Sequence, residues 1–255
     1  MTLVWRPDYN GTPGKVTLAK ESVAADPYYN NVSLLLHGDG ANGSTTIVDS
    51  SSSANSVIAN DGAQISTAIA DPFGGSSGSI EFLSSPITGL SVDSPSSIFQ
   101  FGTGDWTIEA WIYQRSQHNY SSLIEIGNHL YSNAFTISIG SAHGFYVYSG
   151  GFYGPQVNVF TLNTWQHVAV TRAGNALYFF LNGTIVGSSS GYSFTNNLTD
   201  STIVSIGYTY GYVPSVNNTF YQCDGYIDDL RITKGVARYT SNFTPPTAPF
   251  PEVLG

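Results

Sequence analysis

Trp165-Gln-His-Val-Ala-Val-Thr-Arg172, Ala173-Gly-Asn175, Ala176-Leu-Tyr-Phe-Phe-Leu181, Asn182-Gly183 and Thr184-Ile-Val-Gly187 follow one another without a break, and they decide the fold class. The first segment is rich in β-branched residues. Leu177, Phe179 and Leu181 then recur at period two, with Tyr178 and Phe180 on the opposite face, as in a strand covered on both sides. Asn182-Gly183 is the strongest short hairpin signal, because a type I′ turn needs positive φ at both central positions. Three strands joined this way cannot bury their own apolar face, so a second sheet must pack on them. Trp165, His167 and Arg172 stand close together, yet the strand pattern accounts for each of them, so the stretch reads as scaffold.

The same rhythm of short strands and Gly/Asn/Ser turns runs through the rest of the chain. Strands are predicted over residues 32–37, 45–48, 64–68, 78–83, 106–113, 123–126, 134–139, 144–148, 156–160, 202–208 and 225–233. In the segment 106–113, Trp106, Ile108, Ala110 and Ile112 share one face, while Thr107, Glu109, Trp111 and Tyr113 share the other. No apolar period of 3.6 residues is sustained, and only Lys234 to Tyr239 looks helical, for about one turn. This pattern predicts an all-β protein, an antiparallel β-sandwich of jelly-roll type. The Pro-rich stretch from Thr244 to Pro251 reads as an extended surface tail. Residues 1–27 carry Arg6, Lys15, Lys20 and Glu21 among several Pro and Gly breakers. They read as an extended N-terminal arm for attachment to a larger assembly, and residues 28–255 as one jelly-roll domain.

Charged residues make up only 10% of the chain, with eight Lys+Arg and a net charge of −9. So few cations give no phosphate-tracking stripe, which argues against nucleic acid and against anionic membranes as partners. No run approaches the ~20 apolar residues of a membrane helix. A charged-then-apolar leader is also missing from the first residues. A surface built for the outside without such a leader fits a chain carried on a particle and released by lysis. Cys223, the one cysteine, excludes an internal disulfide and reads as buried.

Phe101-Gly-Thr-Gly-Asp-Trp-Thr-Ile-Glu-Ala-Trp111, Trp165 to Arg172 and Leu181-Asn-Gly183 stand in the order seen in laminin-G-like domains. Over residues 32 to 250 the chain resembles that family, part of the concanavalin A-like lectin/glucanase superfamily. Leu34-Leu-Leu-His-Gly-Asp-Gly40 and the segment Gly225 to Phe250 resemble the version found in structural proteins of tailed phages. The resemblance implies a concanavalin A-like jelly roll in a virion protein, such as a head decoration or a tail fibre or appendage. It also implies a structural calcium joining the loop after the first strand to the last strand, here Asp39 and Asp228. Hard cations favour such carboxylate and carbonyl oxygens. Asp228 accepting turn amides without an ion remains the alternative.

Enzymatic chemistry finds little support. Glycosidases of this superfamily carry alternating acids on one strand so that two carboxylates flank the scissile bond. Here Glu109 is followed two positions on by Trp111, and Glu125 by Gly127. Asp228 and Asp229 are adjacent, so a regular strand would point them to opposite faces. His37, His118, His129, His143 and His167 share no motif with a nucleophile, and His167 is expected to pack in the sandwich. The seventeen tyrosines offer more. Tyr146, Tyr148 and Tyr153, with Phe152, and then Tyr208, Tyr210 and Tyr212, sit in Gly-rich segments. Their flat apolar faces and polar tips suit stacking on pyranose rings, and equally suit packing or subunit contact. The expectation is a non-enzymatic virion surface protein that adheres to host-surface carbohydrate through these loops. Its partners would be other virion proteins, met through the arm, and self-association into a homo-oligomer is left open. A purely structural virion protein and a glycoside hydrolase are the alternatives.

Overall fold

The computed structural model describes residues 25–209 and 221–253. Along the chain the strands are β1 (Val32–Leu36), β2 (Val57–Asn60), β3 (Gln64–Ser66), β4 (Ser79–Phe82), β5 (Gly89–Val92), β6 (Trp106–Ser116), β7 (Ser122–Ile126) and β8 (Phe135–Ile139). They continue as β9 (Phe145–Tyr148), β10 (Phe152–Val157), β11 (Trp165–Ala173), β12 (Ala176–Leu181), β13 (Thr184–Ile185), β14 (Tyr192–Ser193), β15 (Val204–Ile206) and β16 (Asp224–Lys234). All described pairings are antiparallel. One sheet has nine strands in the order β13-β12-β11-β6-β16-β4-β3, with β1 also on β16 and β14 on β12. The other has seven, in the order β10-β9-β8-β7-β15-β5-β2. This is the expected all-β sandwich.

The hairpin that decides the fold class forms as read. β11 pairs with β12 from Val168 opposite Leu181 to Ala173 opposite Ala176. Asn182 and Gly183 take φ of 49° and 74°, the left-handed pair of a type I′ turn. The turn is also a docking point. A Cβ on Gly183 would lie 2.0 Å from the carbonyl oxygen of Phe243, whose own N–H donates to Gly183 O at 2.9 Å.

Alternation on β6 sends Trp106, Ile108, Ala110 and Ile112 into the core between the sheets. Trp106 stacks on Phe135 of the seven-stranded sheet, with centroids 5.1 Å apart and planes 16° from parallel. Each such buried side chain contributes roughly 1.5–3 kcal/mol by leaving water. The opposite face of β6 is closed differently. Glu109 is fully buried there and accepts from Arg231 at 2.7 and 3.0 Å and from the Tyr239 hydroxyl at 2.9 Å. Arg231 also reaches Asp26 at 3.1 Å, and Arg238 donates to both Asp26 oxygens at 3.0 and 2.7 Å. Burial alone would favour the neutral acid. The charge of Arg231, then His167 and Arg238, outweigh it and hold the Glu109 carboxyl at about 2. Asp26, counted by sequence within the arm, is thus locked into the sheet face, and its N–H also donates to Val253 O. Residues 1–24 lie outside the described residues.

Several local expectations are corrected. Residues 45–48 form no strand. Only Ile47 bridges to Val57, because the Asp49 carboxylate gathers the N–H groups of Leu35, Ser51 and Asn55 into a loop. The strand expected at 156–160 begins earlier, at Phe152, where the turn at Gly150-Gly151 sets Phe152 opposite Tyr148. β2, β5 and β14 carried no clear signal. Lys234 to Tyr239 is not helical. Thr107 on β6 takes its polar groups instead, accepting from the Arg238 N–H at 2.9 Å and donating to Val236 O at 3.0 Å. The Pro-rich tail is extended, yet it is not merely superficial. Phe250 is buried against Val32 and Leu35, with the Arg231 guanidinium 3.6 Å from its ring centre, and Phe243 stacks on Tyr239.

Asp228 and Asp229 do not obey simple alternation either. β16 bulges between Asp228 and Arg231, and Asp229 sits at φ 48°. The extra residue re-aims the strand. Asp228 accepts from Ser79 Oγ at 2.7 Å, while Asp229 pairs with His37 Nδ1 and accepts the Phe250 N–H at 2.8 Å. Both acids are drawn to the side away from the core.

Two outcomes test this account. Gly183→Ala combines left-handed strain with a clash on Phe243 O, and lowers the unfolding free energy by about 1–3 kcal/mol in urea titration. Glu109→Ala takes away two of the hydrogen bonds of the buried Arg231 and leaves it only Asp26, which Arg238 shares, and costs about 3–5 kcal/mol at neutral pH. The Glu109 carboxyl is lower in the folded chain than the ordinary 4.5. Its stabilisation is therefore complete above about pH 4.5 and lost as pH falls toward 2, and the acid-unfolding curve of Glu109→Ala lacks that component.

Candidate functional site

The face of the nine-stranded sheet that points away from the core is largely covered. Residues 236–250 and Asp26 lie over it, Phe73 packs edge-on against Trp111, and Trp165 donates its indole N–H to Ala70 O at 2.8 Å. His167 is fully buried there, edge-on to Trp111 and Phe243, with Nε2 3.4 Å from Glu109 Oε2. Arg172 is likewise buried, donating to the carbonyls of Gly174, Gly102 and Asn196. Trp165, His167 and Arg172 are scaffold.

The outer face of the seven-stranded sheet carries a groove of about 210 Å³. Alternation builds its floor. Phe135 and Ile137 point into the core from β8, so Thr136 points out. Phe145 and Val147 point inward from β9, so Tyr146 and Tyr148 point out. Thr136 stands directly opposite Tyr148 in the ladder. Phe152 rises at the start of β10 and meets Tyr146 and Tyr148 at 5.1 and 4.9 Å between ring centres. Across the groove, Tyr120 and Tyr221 stack at 5.2 Å. Leu130 and Phe152 are 47% and 44% exposed, so an apolar rim faces solvent. Tyr131, next along the chain, is 63% exposed.

Beneath these rings the site is polar. Glu125 is fully buried, its carboxylate paired with His129 Nδ1 and 3.5 Å from the Ser205 hydroxyl. His129 lines the groove edge-on to Tyr148 at 5.6 Å. Thr136 shares a 2.8 Å hydrogen bond with Ser122. Thr209 is 2% exposed and lines the same groove, and its hydroxyl has no hydrogen-bond partner among the described residues. A buried hydroxyl left unpaired costs of the order of 1–3 kcal/mol, which a ligand hydroxyl would relieve. Burial pushes the Tyr146 phenol up to about 12, so it stays a neutral donor and acceptor.

Of the tyrosines singled out by sequence, Tyr146 and Tyr148 line the groove. Tyr153 does not. It packs on the core, edge-on to Phe194 at 4.9 Å. Tyr208 stays on the outer face of the seven-stranded sheet but lies over Gly89 of β5, where Asn60 Nδ2 is 3.4 Å from its hydroxyl. Tyr210 and Tyr212 lie outside the described residues. Sequence reading missed Tyr120, His129, Leu130, Thr136, Thr209 and Tyr221 as lining. The cross-strand register of β8 and β9 would have pointed to Thr136, but the others come from loops with no periodic signal.

Asp39 lies close enough to Asp228 for their charges to repel, beside the point along β16 where it exchanges β4 for β1 as partner. The loop after β1 crosses the start of β4, and the Gly40 N–H donates to Ser77 O at 3.2 Å. Burial, then the neighbouring Asp229 and Asp39, push the Asp228 carboxyl up to about 8. Crowded acids of this kind suit a cation. Among the described residues, however, no three His, Cys, Asp or Glu side chains converge on one point. The donor set fits a hard cation only if the Ser79 hydroxyl or main-chain carbonyls complete it. Cys223 is buried and its thiol is pushed up to about 12 by burial, as an inert core residue.

The groove belongs to a fold found in other proteins. Domain 4 of AbnA, a GH43 extracellular arabinanase from Geobacillus stearothermophilus solved with arabinotriose, superposes with a TM-score of 0.59. The likeness covers 81% of this chain and 95% of that one, at 16% identity. A structure of botulinum neurotoxin type C, whose cell entry depends on interaction with two ganglioside molecules, matches with a TM-score of 0.56 at 14% identity, over 82% of this chain. The binding domain of botulinum neurotoxin serotype D in complex with N-acetylneuraminic acid gives 0.55 at 14% identity, also over 82%. This chain spans 49% of each toxin chain. At these identities the likeness is one of fold. No curated protein sequence matches the chain. The family model of the third laminin-G type matches residues 88–238, and the chain belongs to the concanavalin A-like lectin/glucanases superfamily.

Proposed function

We propose that this protein is a non-enzymatic carbohydrate-binding protein of a phage virion surface, and that it grips a sugar in the groove between Phe152 and the Tyr120–Tyr221 stack. The observation that carries this reading is the pairing of an aromatic, partly exposed rim with a buried polar floor that holds a Thr209 hydroxyl unpartnered among the described residues. Pyranose rings offer both an apolar face for the rings and hydroxyls for the floor. Bound arabinotriose and N-acetylneuraminic acid in neighbours of the same fold lend support. The groove's lining holds no Asp or Glu among the described residues, with only Glu125 beneath it. Hydrolysis would call for a carboxylate on each side of the bond. The virion setting rests on the resemblance of Leu34 to Gly40 and of Gly225 to Phe250 to phage structural proteins. These two stretches pair as β1 and β16. We also propose a structural calcium at Asp39 and Asp228, where an ion would offset the crowding of acids.

Tyr148→Ala and Phe152→Ala are each expected to weaken glycan binding by about tenfold, or 1.4 kcal/mol, on an array or by calorimetry. Thr209→Val removes a hydroxyl without changing volume. It should weaken binding while leaving the melting temperature equal or higher, since no internal bond is lost. Failure of every host-envelope glycan to bind the intact protein would sink adhesion and favour a protein contact at the exposed Leu130, Tyr131 and Phe152. Measurable cleavage of any bound glycan would overturn the non-enzymatic reading, and absence of the chain from purified particles the virion one. Millimolar calcium should raise the melting temperature of the wild-type chain and not that of Asp228→Asn, whereas an equal response in both would exclude this site.

A further inference from the structure

The charge around the groove restricts what enters it. Glu125 lies fully buried under the floor and is paired with His129 at the lining. Among the described residues no Lys or Arg lines the groove. The five cations of the described residues are all engaged elsewhere. Arg115 holds Glu81 and Asp224, Arg172 holds three carbonyls, Arg231 and Arg238 hold Glu109 and Asp26, and Lys234 donates to Ser97 O. Thr209 and Tyr221 both line the groove and flank a segment that lies outside the described residues. The eleven intervening residues, Tyr210 to Phe220, include no Lys, Arg or His in their sequence. The net charge of −9 adds a repulsive background for any anion.

Resting on the carbohydrate reading above, we propose that the groove is selective for uncharged sugars and rejects sialylated, sulfated or uronic acid residues. The attraction comes from ring stacking and from hydroxyl groups, those of Thr136, Thr209 and Tyr146 among them. A sugar carboxylate or sulfate would be desolvated over a buried carboxylate, with no Lys or Arg among the described residues to receive it and with His129 already committed to Glu125, the arrangement that a specific site uses to exclude a competitor. Anion-binding sites place Arg or Lys forks at the ligand instead.

The test compares matched probes on the intact protein: a galactose-terminated oligosaccharide and the same oligosaccharide capped with sialic acid, or bearing a sulfate. The neutral probe should bind at least about tenfold more tightly, with affinity nearly flat between low and high salt, because no charge pair is screened. In a folded Glu125→Gln protein the gap between the probes should narrow. Binding of the acidic probe equal to or tighter than the neutral one, or affinity that falls steeply with salt, overturns the selectivity while leaving carbohydrate binding intact. An unchanged gap in Glu125→Gln also overturns it, by removing its stated cause. Binding of neither probe, nor of any other neutral or acidic glycan, removes the carbohydrate reading and the selectivity with it.

Discussion

The Glu109–Arg231 pair is the constraint on which the rest of the molecule depends. Two charges taken out of water cost several kcal/mol each unless their hydrogen-bonding capacity is met. Here it is met almost entirely by distant parts of the chain. Tyr239 and His167 approach Glu109, and Asp26 completes Arg231 and brings Arg238 with it. The two residues face each other in the ladder between β6 and β16, so the ion pair also fixes the register of the two central strands of the nine-stranded sheet. A slip by one residue would strand both charges, which adds to the ordinary penalty of turning apolar side chains outward.

That single commitment shapes both ends of the described chain. Asp26 is held at one side of the network, and the segment after β16 folds back so that Tyr239, Phe243 and Phe250 roof the same face. The hairpin turn at Gly183 receives this segment through Phe243. A face closed in this way has little room for a ligand. The opposite sheet has no comparable roof among the described residues over β8 and β9, and there the outward side chains line a groove. One outer face is thus spent on tethering the chain, while the other leaves aromatic side chains at the surface. In a chain with so few cations, four arginines are engaged in internal contacts.

Much of the fold was legible because strand signals are local. The period-two pattern of residues 106–113 and 177–181 and the Asn182-Gly183 turn were read with the correct faces. Failures came where a long-range partner overrode a local preference. Asp49 dissolved a strand at 45–48 by drawing in three amides, Thr107 took the polar groups that a helical turn after Lys234 would have used, and a bulge set Asp228 and Asp229 on the same side. The site was less legible. Tyr146 and Tyr148 stand out as aromatic residues in a Gly-rich segment, but Tyr153, in the same aromatic run, packs inward because β10 begins at Phe152 and its register is offset by the turn before it.

By itself, the sequence determined the class of architecture, the central hairpin, the faces of β6 and the scarcity of cations, since each depends on neighbours within a few residues or on composition. Only the tertiary structure decided which sheet face is roofed and which is open. It also decided that Asp26 belongs with the sandwich, and that Tyr120, His129, Thr209 and Tyr221 converge beside Tyr148. The reason is physical. Side-chain period is set along one strand, whereas a groove is set by loops from strands far apart in sequence, brought together by sheet order and by a buried ion pair that no local pattern announces.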